Sequence, residues 1–172
     1  MFAQPELEAV LRHGLKRFSQ VEYFLGMSFE RCEQHADGVA VHIQGRDEPL
    51  QTRYLLACDG GRSAVRKQYA LPVEDLAFDE SWIIVDAHLR RGLQLPARCV
   101  QYCRPQRPGT YIVGPGPLRR WEIKMLPGET PGDFQEEAAV RGVLAEFTDE
   151  SGLEIIRTAV YRFHALVVEQ WR

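Results

Sequence analysis

An apolar run that ends abruptly in an acid and two glycines constrains this chain more than any other stretch. It reads Tyr-Leu-Leu-Ala-Cys-Asp-Gly-Gly-Arg-Ser-Ala-Val-Arg over residues 54–66. The pattern predicts a strand, a tight turn and a short helix, because glycine adopts left-handed backbone angles and serine caps helices. A carboxylate beside a helix N-terminus favours a phosphate or ribose site, since free N–H groups and the helix dipole attract anions. The same residues also make an ordinary capped turn.

Composition excludes several classes of function. The chain has 172 residues, of which 45% are hydrophobic, enough for one domain or one domain plus part of another. Its net charge of −3 and its scattered basic residues offer no surface for nucleic acid. Apolar runs such as 54–58 and 82–85 are far shorter than the roughly 20 residues of a membrane-spanning helix. The four cysteines form no Cys-x-x-Cys pair, so we expect no metal site and a reduced, cytoplasmic protein.

Hydrophobic periodicity predicts helices and antiparallel strands. Apolar residues at steps of three and four predict a helix with one buried stripe from Pro5 to Phe18, and a second helix from Asp133 to Phe147. Alternation with period two predicts a meander between Val21 and Cys58, with a strand over Val21–Leu25 and a hairpin turn at Asp37-Gly38.

A second group of strands follows residues 59–63, which we call the acidic turn. Residues 63–69 give about two helical turns, which Leu71-Pro72 ends, and we place a domain boundary there. Beyond this boundary the alternation predicts a sheet covered on one side, made of strands over residues 82–89, 99–103, 110–113 and 120–126, and an extended segment over 153–168. These elements predict an α+β fold.

The acidic turn resembles that of one enzyme family. In single-component flavoprotein aromatic hydroxylases of the para-hydroxybenzoate hydroxylase type, an apolar strand is followed by Asp-Gly-x-x-Ser-x-Val-Arg. The chain matches this pattern at five positions, namely Asp59, Gly60, Ser63, Val65 and Arg66. Flanking stretches are similar to 3-(3-hydroxyphenyl)propionate hydroxylases over nearly the whole chain, at residues 1–8, 78–82, 121–122, 126–129 and 160–165.

The resemblance implies an internal piece of such an enzyme. Members of the family begin with a strand-helix-strand unit carrying Gly-x-Gly-x-x-Gly, which holds the FAD diphosphate, and this triplet does not occur in the sequence. Their second flavin motif, a Gly-Asp pair, would follow Arg172. Residues 1–76 are then expected to be part of an FAD-binding domain, 77–160 a substrate-binding domain with a mainly antiparallel sheet and a covering helix, and 161–172 a strand returning to the FAD-binding domain.

The resemblance also implies an activity. NADH or NADPH would reduce FAD, O₂ would be captured as a flavin C4a-hydroperoxide, and one oxygen would be transferred to a small phenolic substrate. The cofactor supplies the difficult step, which agrees with a sequence that shows no nucleophilic triad and no metal-ligand set. The isolated piece is expected to be inactive.

Candidate site residues come from the same resemblance. Its motifs place four residues beside the flavin or the nicotinamide, namely Gln4, Asp59, Gly60 and Arg66. Tyr111 and Trp121 are candidates for the substrate pocket, and the alternative is that both are core residues, because aromatic side chains on alternating strands usually pack. No catalytic residue is assigned. His164 has no identifiable acid partner in the sequence, so we expect a core residue rather than a base.

A different class of function stays open. The chain also fits a non-enzymatic module that binds an apolar ligand or a partner chain on the same scaffold without flavin, which the missing motifs favour. A halogenase or reductase of the same superfamily fits less well, because the flanking stretches resemble phenol hydroxylases. The sequence does not decide the exact substrate, the choice between NADH and NADPH, or whether the protein is a homo-oligomer.

Overall fold

The computed structural model of the chain describes residues 2–90 and 92–171. They form two compact units. The smaller unit comprises residues 16–76 and 166–171, and the larger unit comprises residues 2–15 and 77–165. Both combine helical segments with strands in antiparallel sheets, so the predicted α+β class is confirmed.

Helix α1 spans Gln4–Leu15 and belongs to the larger unit. It begins as predicted and ends three residues before Phe18. The prediction of a buried stripe is wrong, because none of its described side chains is buried. Three apolar residues of the stripe are 38% to 68% exposed, namely Leu7, Val10 and Leu11. Local contacts stabilise the helix instead, such as the ion pair of 2.6 Å between Arg12 and Glu8 one turn apart.

A three-stranded antiparallel sheet forms the centre of the smaller unit. In chain order and in sheet order its strands are β1 (Phe29–His35), β2 (Gly38–Ile43) and β3 (Leu50–Thr52). The predicted hairpin is formed, with its turn at Ala36 and Asp37, one residue earlier than predicted, and with Gly38 paired to His35. Glycine is required at position 38, since a Cβ there would lie 2.4 Å from the carbonyl oxygen of Thr52.

Two strands predicted for the smaller unit are not formed. Residues 21–25 are irregular or in a turn, and the apolar run 54–58 is extended without pairing to another strand. Tyr54 and Leu56 are 80% and 85% exposed as a result. A strand needs a neighbour to satisfy its backbone N–H and C=O groups, and no segment within the described residues supplies one here.

Helix α2 (Ala64–Gln68) follows the acidic turn, as predicted. Its last residue attaches it to the meander, because Gln68 Oε1 accepts a hydrogen bond of 3.0 Å from the amide of the buried Cys32 on β1. The hydroxyl of Tyr69 donates to the carbonyl oxygen of Cys32 at 3.3 Å. These contacts fix the C-terminal end of α2 on β1.

A five-stranded sheet forms the larger unit. Its order is β5-β6-β7-β4-β8, with antiparallel pairing of β5 with β6, β6 with β7 and β7 with β4. In chain order the strands are β4 (Val73–Leu89), β5 (Val100–Tyr102), β6 (Gly109–Val113), β7 (Leu118–Lys124) and β8 (Leu153–Val168). The outer parts of β4 and β8 extend into the smaller unit.

One face of this sheet carries the core. The alternate residues predicted to point inward are buried, among them Ile83, Val85, Trp121 and Ile123. The covering helix is divided, with a short 3₁₀ turn over Pro131–Phe134 followed by α3 (Glu137–Leu144). Its buried side chains join the same cluster, namely Phe134, Val140 and Leu144.

The opposite face of the sheet is less exposed to solvent than predicted. Ile84 and Asp86, which alternate with the core residues of β4, are only 6% and 5% exposed. The carboxylate of Asp86 accepts two hydrogen bonds from Arg120, at 2.7 and 3.0 Å, and one from Arg157 at 3.2 Å. Burial opposes ionisation of Asp86, but the hydrogen bonds from the two arginines outweigh it and lower the pKa of Asp86.

No helix of the described part of the chain is long and apolar enough to cross a membrane. Within the same residues no group of three or more His, Cys, Asp and Glu side chains is arranged to hold a metal ion. All four cysteines are free thiols.

The contact between Gly109 on β6 and Phe147, which follows α3, allows a test of how the sheet packs against the helix. A Cβ on Gly109 would lie 2.7 Å from the ring of Phe147 and 3.3 Å from the carbonyl oxygen of Glu122. We therefore expect Gly109→Ala to lower the free energy of unfolding by about 1–3 kcal/mol, through overpacking. Gly142→Ala is the control, because that helical position has open space and alanine there adds up to about 1 kcal/mol. Urea denaturation compares them, and equal stabilities would contradict the tight contact.

Candidate functional site

The acidic turn is formed by local interactions. Gly60 has a φ of +72°, in the left-handed region that favours glycine, and starts the 3₁₀ turn Gly60–Arg62. Ser63 caps α2, with its Oγ accepting a hydrogen bond of 3.0 Å from the amide of Arg66. A Cβ atom added at Gly60 or Gly61 would meet nothing within 4 Å, so the outside of the turn is open.

The carboxylate of Asp59 faces the helix rather than the outside of the turn. Its Oδ2 accepts hydrogen bonds from the amides of Ala64 at 2.7 Å and Val65 at 3.4 Å. The amides of residues 64–66 already donate to Asp59 and Ser63, so they are not free for an anion, and the phosphate or ribose site at this turn stays a prediction. A second anion would meet the charge of Asp59 at close range.

Asp59 is an ionised group at an exposed position. A hydrogen bond from the side chain of Ser63, together with those from the amides of Val65 and Ala64, lowers the pKa of Asp59. An exposed carboxylate beside two open glycines can accept from the hydroxyl groups of a ligand such as the sugar part of a dinucleotide. The exposed carboxylate and the open glycine pair are compatible with FAD or a nicotinamide nucleotide, and the contact itself stays a prediction.

Arg66 lies in the same turn. Its Nη2 donates a hydrogen bond of 2.7 Å to the carbonyl oxygen of Gly61, so the guanidinium lies beside the glycine pair. The structure thus brings three of the predicted cofactor residues together, Asp59, Gly60 and Arg66. Gln4, the fourth, begins α1 in the larger unit and donates a hydrogen bond of 2.9 Å to Glu8.

Tyr111 and Trp121 lie next to each other in the core of the larger unit. They are 1% and 0% exposed, and their ring centroids are 5.1 Å apart. The hydroxyl of Tyr111 donates to the carbonyl oxygen of Pro96 at 3.1 Å. This is the packing that the core alternative describes, and a role for either residue in binding a substrate stays a prediction.

An open cleft with aromatic walls lies on the other face of the same sheet. Its volume is about 370 Å³, and the residues that line it come from β4, β6, β7 and β8, namely Phe78, Trp82, Thr110, Glu122, Phe163, His164 and Ala165. Sequence reasoning did not single out this set. The available signal was the alternation of β4, which places Trp82 opposite the core residues.

The aromatic wall of the cleft is held by specific contacts. The rings of Trp82 and Phe163 meet edge to face with centroids 6.4 Å apart. The indole N–H of Trp82 donates to Glu80 Oε2 at 3.1 Å, and Glu80 also pairs with Lys124 on β7. The orientation of Trp82 is therefore fixed by a hydrogen bond to an ion pair and by contact with a neighbouring ring.

A histidine and an aspartate lie together at the mouth of the cleft. His164 Nδ1 is 3.6 Å from Asp79 Oδ1, and both side chains are partly exposed. Asp79 is also bound through both carboxylate oxygens by Arg162, with Nε donating to Oδ1 at 2.7 Å. The hydrogen bonds of Arg162, with smaller contributions from the charges of Arg162 and His164, lower the pKa of Asp79. The expectation that His164 is a core residue without an acid partner is wrong.

Comparison with known proteins identifies the family. The model of the FAD binding domain family matches residues 1–172, the whole chain. The chain belongs to this FAD-binding family. The acidic turn and the exposed Asp59 carboxylate therefore lie in a chain whose family is defined by FAD binding.

Curated relatives extend far beyond this chain. The chain is 34% identical to a 3-(3-hydroxy-phenyl)propionate/3-hydroxycinnamic acid hydroxylase of Klebsiella pneumoniae (strain 342), and 33% identical to a protein of the same description from Escherichia coli O81 (strain ED1a). Each alignment covers 99% of this chain and 31% of the relative. The chain thus spans about a third of the length of these enzymes.

Solved structures share the fold. Aklavinone-11 hydroxylase, in a complex with FAD and aklavinone, matches 100% of this chain and 34% of its own, with a TM-score of 0.81 and 24% identity. A p-nitrophenol 4-monooxygenase from Pseudomonas putida DLL-E4 matches 99% of this chain and 45% of its own, with a TM-score of 0.80 and 20% identity.

The hydrogen bonds of Asp59 predict a pH-dependent contribution to stability. We expect Asp59→Asn to unfold at lower urea concentration than the wild type at pH 7. Because the pKa of Asp59 is lowered in the folded state, its ionised form stabilises the fold at pH values above the ordinary aspartate pKa of about 3.9. This contribution disappears as the pH falls through the lowered pKa. The difference in urea midpoint between the two proteins should be constant from pH 7 to about 5 and should shrink towards zero below about pH 4.

Asparagine keeps an oxygen that accepts from the amides, so this comparison isolates the charge. The exposed Asp47, changed to Asn, serves as the control and should leave the midpoint nearly unchanged. A difference between wild type and Asp59→Asn that persists at about pH 2 would contradict the electrostatic explanation.

Proposed function

We propose that this chain is part of an FAD- and NAD(P)H-dependent monooxygenase that hydroxylates a small phenolic compound with O₂, in the cytoplasm. The observation that carries the proposal is the cleft with aromatic walls on the large sheet of a chain that belongs to an FAD-binding family. The names of the curated relatives, which are hydroxylases of hydroxyphenyl compounds, support the substrate class.

The acidic turn would contact the nucleotide cofactors, FAD or NAD(P)H. Asp59 is exposed and would accept hydrogen bonds from ligand hydroxyl groups in addition to those from the amides of α2, and Gly60 leaves room for close approach. Arg66 fixes the glycine pair through its contact with Gly61. Gln4 at the start of α1 is proposed as a further contact to the flavin. FAD supplies the oxygen-transfer chemistry when it is bound.

The cleft would hold the aromatic substrate. Trp82, Phe78 and Phe163 offer ring surfaces, against which a phenol ring can pack and from which water is displaced. Thr110 and Glu122 supply polar atoms on the floor of the cleft, where they can orient a hydroxyl group. Tyr111 and Trp121 are buried in the core of the same sheet and outside the lining of this cleft, and they remain the other candidates for substrate contact.

A non-enzymatic binding module is the second candidate. It is favoured by one observation, the open cleft with aromatic walls, which can take up an apolar ring whether or not a flavin is bound nearby. In that case the cleft binds a phenol and no flavin is required. A flavin titration separates the two candidates.

We expect the 172-residue chain to bind FAD weakly or not at all and to lack hydroxylase activity on its own. A single acidic turn, whose amides are already occupied, cannot replace a diphosphate loop. Quenching of flavin fluorescence on titration with the chain measures the affinity, with free riboflavin as a control for stacking on exposed aromatic residues. A dissociation constant below one micromolar would contradict this expectation.

In a full-length enzyme that contains this chain, we expect Asp59→Ala to slow reduction of the flavin by NAD(P)H by about tenfold or more, with a smaller effect on folding. The carboxylate is proposed to contact the nucleotide, so its removal should affect cofactor chemistry. Gln68→Ala is the matched control, since it removes a hydrogen bond that holds the other end of the same helix on β1 and does not involve Asp59. If Asp59→Ala melts at a lower temperature but is reduced at the wild-type rate, the turn has only a structural role.

A further inference from the structure

We propose that His164 is a catalytic base, which accepts the proton of the phenolic hydroxyl group bound in the cleft. This inference rests on the proposed function, because only a phenol in the cleft brings an acidic hydroxyl group to the histidine. The residue lines the cleft together with the ring of its neighbour Phe163 and that of Trp82. A ring that packs on these aromatic walls shares the cleft with the imidazole.

Asp79 lies beside the imidazole. Its Oδ1 is 3.6 Å from Nδ1, longer than a hydrogen bond, so Nδ1 is the ring nitrogen nearer the carboxylate and Nε2 is the one that we assign as the proton acceptor. Asp79 is itself held by two hydrogen bonds from Arg162. The arrangement of base, neighbouring carboxylate and supporting arginine comes from β4 and β8, which lie side by side in the sheet.

Charged groups of three strands surround His164. From β4 it faces Asp79, from β7 it shares the cleft with Glu122, and from its own strand it is near Arg162. The pair of Glu80 and Lys124 lies beside Trp82 and is neutral as a unit, and so is the pair of Asp79 and Arg162. Glu122 is the carboxylate that lines the cleft and lies outside both pairs, and an imidazolium at His164 would offset its repulsion of a phenolate.

The proposed step is a proton transfer without a change of oxidation state. The O–H bond of the phenol breaks, an N–H bond forms at Nε2, and the electron pair stays on the phenolate oxygen. The products are a phenolate and an imidazolium in contact. A phenolate ring is richer in electrons than a phenol ring, so it reacts more readily with an electrophilic oxygen.

The test uses p-nitrophenol as the probe, because its ionised form absorbs at longer wavelength than its neutral form. The absorption of the probe bound to the 172-residue chain is followed over a pH titration, in wild type and in His164→Gln. We expect both proteins to bind it, and His164→Gln to hold about tenfold less of the bound probe as phenolate at the pH where the wild type holds half. Loss of the imidazole removes the proton acceptor and the positive charge that would compensate the phenolate.

Two further variants make the result specific. His88→Gln changes a histidine of β4 outside the cleft and should leave the ionisation of the bound probe as in the wild type. Asp79→Asn keeps His164 but removes the neighbouring charge, so the bound phenolate should decrease by less than in His164→Gln and by about twofold or more. Circular dichroism confirms that each variant is folded.

The outcomes separate this inference from the proposed function. If the wild-type chain does not bind p-nitrophenol saturably, the cleft is not a phenol site and both proposals are overturned. If the probe binds and ionises alike in wild type and in His164→Gln, the proposed function stands and the assignment of His164 as the base is wrong.

Discussion

The pairing of β4 with β7 sets the positions of both the core and the cleft. Trp82 lies opposite Lys124, and the pairs continue with Ile84 opposite Glu122 and Asp86 opposite Arg120. Because side chains alternate across a pleated sheet, the residues between these pairs point the other way and form the core under α3. A shift of register by one residue would exchange the two sets, so burial of the apolar set also holds the cleft residues in place.

Two buried charges of the larger unit have charged partners. Asp86 is buried and accepts from Arg120 and Arg157, and Arg107, which is also buried, donates to the carboxylate of Glu129 from both terminal nitrogens at 2.9 and 2.6 Å. Breaking a buried pair by removing one partner typically costs about 3–5 kcal/mol, since the other charge stays desolvated. The pair of Asp86 and Arg120 also joins β4 to β7, where the two residues are opposite each other.

Local patterns predicted the elements whose contacts lie close in sequence. The strands of the large sheet, the hairpin at Asp37 and the capped turn at Ser63 all follow from alternation or turn chemistry over a few residues. The run 54–58 was predicted as a strand and is not one, because a strand depends on a neighbour that a local pattern does not contain. Alternation likewise predicted the buried faces of the sheet but did not show which aromatic residues line a cleft.

The candidate site, like the fold, was predictable where its residues are close in sequence. Asp59, Gly60 and Arg66 form one turn because they are close in sequence and match a motif. The pairing of His164 with Asp79 joins residues far apart in the chain, so only the register of β8 beside β4 reveals it. The direction of the Asp59 carboxylate also required the structure, since the sequence fits a ligand contact and a helix cap equally well.

The path of the chain between its two compact units has a consequence for limited proteolysis. The chain passes from one unit to the other after Leu15, after Leu76 and after Ala165. A single cut between Leu76 and Ala77 would therefore give two fragments that each contribute to both units, as the hydrogen bond from the amide of Glu169 to the carbonyl oxygen of Pro72 illustrates. A nicked sample would show two bands on a denaturing gel and would still elute as one species from a sizing column.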